Sequence, residues 1–425
     1  MPTDYELEAG VRCTASFTRD DGKRTYEHAV LRYTHAKGGV LEVPMEEFWN
    51  NQLYSVSATT RDAQIFIPIL DYRAGDFTEK QRINTFHFNE MLLSYHGSPP
   101  EEILLDRIEI SIERFGAFIG NFPVAKKVRD QKHYDLNCTK EDMYVVDLPQ
   151  WAAKTWIECG FQITDIAGGS YEVHPSHKLI IDLEEPVTYD QFLHKAKALS
   201  TFWEFLMHRP MHPGQMIYRS KSHGMLVRHL FKDIPDVATG VAWAQTGVLQ
   251  SNWEEFAPYL DKLINRWIGL DHGSAWMDNL TRLIQYRELP HDFRFFMAYT
   301  VLQGFGEELG KGRPLITKGK EEVRVWEDYE VYWHHALFPL SEPAKDYVNR
   351  MVLTRHHFAH LSKANLDILR SFEEFSGAYF RLMIVLKVMF MDTSGIPMKT
   401  WKKVLEQWAI RVQLALHPYF KTTPS

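Results

Sequence analysis

The spacing of apolar and polar positions changes period partway along the chain. Up to about residue 188 the two kinds alternate over short runs: "VRCTASFT", "RTYEHAVLRY", "QLYSVSATT", "AQIFIPIL", "RIEISIERFGAFIG", "MYVVDL", "GFQITDI" and "SHKLIIDL". These runs are rich in Val, Ile, Tyr, Phe and Thr, and turn signals such as "RDDGK", "AKGG", "HGSPP" and "AGGSYE" separate them. Short alternating runs between such turns predict an antiparallel, β-rich domain of sandwich or barrel type. One stretch, "KQRINTFHFNEMLLSYHG" (residues 80–97), reads instead as a short helix packed on those strands.

From about residue 189 the apolar spacing becomes helical, first in "YDQFLHKAKALSTFWEFLMH", which stops near "RPMHPG". A strand pair, "GQMIYRS" and "GMLVRHLF", follows. Helices are predicted in "NWEEFAPYLDKLINRWIGL", with Ser251 and Asn252 as its N-cap pair, and in "DFRFFMAYTVLQGFGEELGK". Pro343 opens a further helix through "KDYVNRMVLTRHHFAHLSK". Next comes "ANLDILRSFEEFSGAYFRLMIVLKVMFMDTSG", closed by Gly395 and Pro397, and last "MKTWKKVLEQWAIRVQLAL". The pattern predicts a multidomain α+β protein. A β-rich domain spans residues 1–185, a mostly helical connecting region 186–285, and an all-α bundle 286–425.

Composition narrows this picture. A chain of 425 residues with 45% hydrophobic positions has enough apolar material for more than one core. Cys13, Cys138 and Cys159 are far apart and form no CxxC pair, which excludes a thiolate zinc site and fits a reducing compartment. The start, "MPTDYELEAGVR", lacks the apolar core of a signal peptide. The run "LMIVLKVMFM" carries Lys387 and is half the length of a membrane span. The expectation is a soluble, cytoplasmic protein without a membrane partner. Charge is uneven: residues 343–425 hold 12 Lys and Arg against 6 Asp and Glu, while the whole chain carries −7. A basic end on an acidic body is compatible with a polyanionic partner.

The densest chemistry lies in "TRHHFAHL", residues 354–361. Three readings compete. His356 and His360, four apart, share a helix face as two zinc ligands would. However, His357 stands where a metalloprotease has its glutamate base, and no second ligand cluster accompanies them, so no metal or cofactor is expected. Histidines on a solvated helix face are the plain alternative, as the pair in "YWHHALF" illustrates. The third reading pairs Arg355 with His360 for phosphate chemistry. Imidazole moves protons near neutral pH, and an arginine fork holds phosphate oxygens. The two are five residues apart, about 140° around a straight helix. They therefore require a helix end, a bend, or a cleft completed by a second chain.

Arg355-His356-His357-Phe358-Ala359-His360 resembles the motif of the HEPN superfamily of ribonucleases: arginine, a polar residue, three residues, then histidine. Thr354 before it, and the long helix closing at Gly395-Ile396 after it, resemble the ApeA-like branch over about residues 290–415. The resemblance implies a helical bundle that pairs as a homodimer or larger homo-oligomer, so that two motifs line one cleft. It implies that His360 is the general acid/base, that Arg355 holds the scissile phosphate and that His356 orients or assists. The implied reaction is metal-independent cleavage of RNA by attack of the 2′-OH, leaving a 2′,3′-cyclic phosphate and a 5′-OH. It further implies an antiphage, abortive-infection effector, silent until a phage-derived trigger acts, with the N-terminal domain as sensor or brake. Lys363, Arg350 and Arg370 are nearby cations that read as solvated charges or as contacts to an RNA backbone, and Glu307 or Glu308 is a candidate to order Arg355. Two other functions stay open: a catalytically inert HEPN module for dimerisation or RNA binding, and a His-cluster metal-dependent hydrolase.

Overall fold

The computed structural model describes residues 11–19, 25–34, 38–44, 56–59, 64–67, 71–73, 83–88, 90–95, 103–112, 124–128, 134–138, 141–166, 170–207, 213–221, 224–231, 257–285, 289–308, 343–360 and 367–402. The Ser251–Asn252 cap, the "YWHHALF" pair, Lys363 and the last predicted helix beyond residue 402 lie outside them. The chain divides into two compact units. The first comprises Met1–Gly116, Asn121–Lys197 and Met211–Val237; the second comprises Ala117–Gly120, Ala198–Pro210 and Ala238–Ser425.

The first unit is antiparallel β-structure. Its strands are β1 (Val11–Arg19), β2 (Thr25–Thr34), β3 (Gly38–Pro44), β4 (Val56–Thr59), β5 (Gln64–Ile67), β6 (Asp71–Arg73), β7 (Ile83–Phe88) and β8 (Glu90–Ser94). They continue with β9 (Leu104–Ile112), β10 (Val124–Val128), β11 (Tyr134–Cys138), β12 (Glu141–Leu148), β13 (Ala153–Ile166), β14 (Ser170–Thr188), β15 (Pro213–Ser220) and β16 (Gly224–Phe231). Fourteen of them join in the order β12-β13-β14-β9-β15-β16-β8-β5-β4-β1-β2-β3-β7-β6, and β10 pairs with β11 separately. The alternation has its physical reason at the β14-β9-β15 centre. Ile108, Ile110, Leu179, Ile181, Met216 and Tyr218 are buried on one face. On the other face Glu109 takes Arg219 at 2.6 Å and Lys178 at 3.2 Å. Period-two alternation thus separates an apolar face from a ladder of paired charges.

The helix expected within residues 80–97 is instead the strand pair β7 and β8. Phe88 stands opposite Gly39 in the β3–β7 register, and its ring fills the space where a Cβ on Gly39 would sit. The run Met91-Leu92-Leu93 is buried on both sides. A short, continuous apolar run suits a core helix or a core strand, and here pairing with β3, β5 and β16 decides for the strand.

Helix α1 (Tyr189–Met207) carries the chain out of the first unit and into the second. Its first turns lie on the apolar sheet face, where the Tyr189 and Phe192 rings meet Tyr218 at 5.0 and 6.0 Å. Its later turns enter the helical unit with α2 (Leu260–Ile268), α3 (Ala275–Gln285), α4 (His291–Gly306), α5 (Ala344–His360) and α6 (Phe372–Thr393). Trp267 of α2 is the hub: it donates Nε1–H to the Ala198 carbonyl at 2.8 Å and packs on Phe202, Phe205 and Phe390. Gly304 lets α4 approach Trp276 of α3, since a Cβ there would meet that side chain at 2.6 Å. Among the described residues no helix is long and apolar enough to cross a membrane.

Candidate active site on the motif helix

Helix α5 begins where the Pro343 carbonyl accepts the Tyr347 N–H at 3.1 Å. Tyr347, Val348, Met351 and Val352 form its buried stripe, with Thr354 fully buried beside them. Arg355 falls four residues after Met351 and so continues that stripe; it is half-buried, and its guanidinium carbon lies 6.0 Å from the centre of the Tyr299 ring of α4. His356 is also half-buried, one turn beyond Val352. His360 is the last described residue of α5, one turn beyond His356 along the backbone; its side chain lies outside what is described.

The residues before the motif set the helix against α6. The Thr354 hydroxyl donates to the Arg350 carbonyl at 2.6 Å and accepts the Leu369 N–H at 2.9 Å. Arg350 bonds Glu374 and lies 3.4 Å from Asp367. Glu374 in turn accepts the N–H groups of Arg370 and Ser371 at 2.8 and 3.0 Å, while the Ser371 hydroxyl accepts the Glu374 N–H. This capping box starts α6 at Phe372, so the expected helix from Ala364 begins later. Burial raises the Glu374 carboxyl, but the two N–H groups and the Arg350 guanidinium outweigh it and hold the pKa below the ordinary value. At the other end of the contact, Arg381 donates to the Tyr347 hydroxyl at 2.9 Å. Helix α6 closes as expected: Gly395 is left-handed at φ 76°, and Ile396 N–H returns to the Met391 carbonyl.

Several expected partners are used elsewhere. Arg350 is engaged with Glu374 and Asp367, and is not presented as a loose cation. Glu308 accepts the Trp276 Nε1–H at 2.8 Å and the Asp271 N–H, binding the α2–α3 turn. Tyr299, whose ring lies against Arg355, is 56 residues away and invisible to any local pattern. Among the described residues no three His, Cys, Asp or Glu side chains group to hold a metal ion.

Two buried groups have partners that the sequence reading did not supply. Lys387, in the middle of α6, donates from Nζ to the Leu206 carbonyl at 3.0 Å, one of the end carbonyls of α1. Burial pushes its ammonium down to about 7. In the first unit, His229 bridges Glu90 (Nε2 to Oε2, 3.1 Å) and the Tyr189 hydroxyl (Nδ1, 3.1 Å). Burial lowers the His229 pKa, against the opposing pull of the Glu90 carboxylate.

The family model described as ApeA N-terminal domain 1 matches residues 17–267, more than half of the chain. That range takes in the β unit, α1 and nearly all of α2, and stops before the motif helix. No curated protein and no solved structure matches the chain.

Proposed function

The chain belongs to the family defined by ApeA N-terminal domain 1, and from that premise we propose that it is an antiphage defence effector whose helical unit is a metal-independent endoribonuclease of HEPN type. Membership is consistent with a defence role. The ribonuclease reading rests on the motif that follows the matched domain. The observation that carries it is the anchoring of Arg355 and His356 on a helix whose register is fixed through Thr354, Arg350 and Glu374.

In this reading Arg355, braced by Tyr299, holds the non-bridging oxygens of the scissile phosphate. His360 takes the proton from the 2′-OH and returns it to the departing 5′ oxygen, and His356 orients the phosphate. The P–O5′ bond breaks as P–O2′ forms, which leaves a 2′,3′-cyclic phosphate and a 5′-OH. Two chains pair so that their motifs share one cleft, which removes the difficulty of the angular separation between Arg355 and His360. The β-rich N-terminal part senses a phage-derived trigger or restrains the cleft until one arrives.

The test compares wild type with Arg355→Ala and His360→Ala on total cellular RNA in EDTA, alongside growth on expression. With phage present to supply the trigger, cleavage and arrest by wild type, and neither by the variants, are expected. Growth arrest by all three without cleavage would instead favour the inert scaffold.

A further inference from the structure

The two aromatic side chains Phe358 and Phe372, 41% and 46% exposed, sit at one end of the helical unit, around the motif. This end is where the described part of α5 finishes and where α4 and α6 begin. Phe375 ties the three helices together there, with its ring 5.8 Å from both Phe358 of α5 and Phe295 of α4. Phe372 lies one turn before Phe375, and its ring meets His291, one turn before Phe295, at 3.9 Å in an edge-on contact. The inner rings, Phe295 and Phe375, are buried, and the outer rings, Phe358 and Phe372, are left at the surface. Phe358 follows Arg355 by three residues and therefore shares its side of α5.

We infer that this rim seats an unpaired stretch of RNA, with bases stacked on Phe358 and Phe372 and a backbone phosphate on Arg355. The inference rests on the ribonuclease reading above and names the form of its substrate. Stacking on exposed rings beside a cation is how single strands are held without sequence readout, and bases in a duplex cannot reach such rings. The surrounding charge suits a polyanion. Arg355, His356 and His357 precede Phe358, and Arg370 precedes Phe372. Of the nearby carboxylates, Asp367 and Glu374 face Arg350, while Asp292 and Glu373 lie in the first turns of α4 and α6. Burial, aided by Arg294, lowers the His291 pKa, so the ring beside Phe372 is a neutral aromatic surface at pH 7. A protein partner is matched by a continuous apolar patch. Here the exposed rings are set among charged and imidazole side chains.

The probe is a short single-stranded RNA with 2′-O-methyl riboses, which cannot be cut, carrying 2-aminopurine as a reporter of stacking. Full-length wild type should quench the reporter and bind the single strand more tightly than the matching duplex. Phe358→Ala and Phe372→Ala should each weaken binding about tenfold or more and lose quenching, whereas Phe358→Trp should retain both. Unchanged binding and quenching in the alanine variants would overturn the inference. So would a change in the sedimenting mass of Phe358→Ala, which would make the rim a surface between copies of the chain. If wild type cuts RNA through Arg355 and His360 while the alanine variants bind normally, the stacking site falls and the ribonuclease reading stands. If wild type does not bind the single strand, the stacking site falls.

Discussion

At the scale of single residues, Thr354 shows how a small side chain can govern a site it does not enter. Its hydroxyl sits fully buried between the Arg350 carbonyl and the Leu369 N–H. Thr354→Val keeps the shape but strands a buried N–H, which costs about 1–3 kcal/mol. Thr354→Ser keeps the bond and should lose less. Urea titrations of the three proteins check the order, wild type above Ser above Val, and RNA cleavage should fall with Val more than with Ser. The position of Thr354 beside the motif was legible in the sequence, since Thr354 precedes Arg355. Its partner was not, because Leu369 lies across the segment between two helices. Arg355 repeats the lesson: its place on α5 follows from spacing, and its Tyr299 neighbour follows from how α4 packs.

At the scale of elements, alternation and helical spacing located the long strands and the helices α1, α2, α4, α5 and most of α6. They failed at β7 and β8, where pairing with strands from elsewhere in the chain outweighed local pattern. Helix α3 went unassigned although Trp276, Leu280, Leu283 and Ile284 recur at helical spacing and are buried. That signal was available. Lys387 was not legible as a cap, because the Leu206 carbonyl it meets is 181 residues away. Its chemistry gives a pH prediction. Burial depresses the folded-state pKa to about 7 from 10.5. Between those values the unfolded chain holds a proton that the folded protein has released. Unfolding free energy therefore rises with pH across that window, by up to about 1.4 kcal/mol per unit. Denaturant titrations at pH 7 and 9.5 should show the rise in wild type and not in Lys387→Met.

At the scale of the whole molecule, charge is the organising feature. The last 83 residues carry 12 basic and 6 acidic side chains, so the remainder of the chain is strongly acidic against a total of −7. On the proposed reading, the basic C-terminal segment attracts RNA and the acidic N-terminal part limits access to it. Binding of the uncleavable single strand should weaken as salt rises, with a log–log slope near −0.7 per phosphate contact, and Arg355→Ala should flatten that slope by roughly 0.7. A slope unchanged in that variant would take Arg355 out of contact with phosphate.

The most direct measurement is the chemistry of the cut ends. Wild-type protein is incubated in EDTA with a single-stranded RNA and, in parallel, with its 2′-O-methyl counterpart, and the product termini are mapped. Attack by the 2′-OH predicts 2′,3′-cyclic phosphate and 5′-OH ends from the first, nothing from the second, and nothing from Arg355→Ala or His360→Ala. Ends bearing a 3′-OH and a 5′-phosphate, or cleavage that survives loss of both residues, would contradict it.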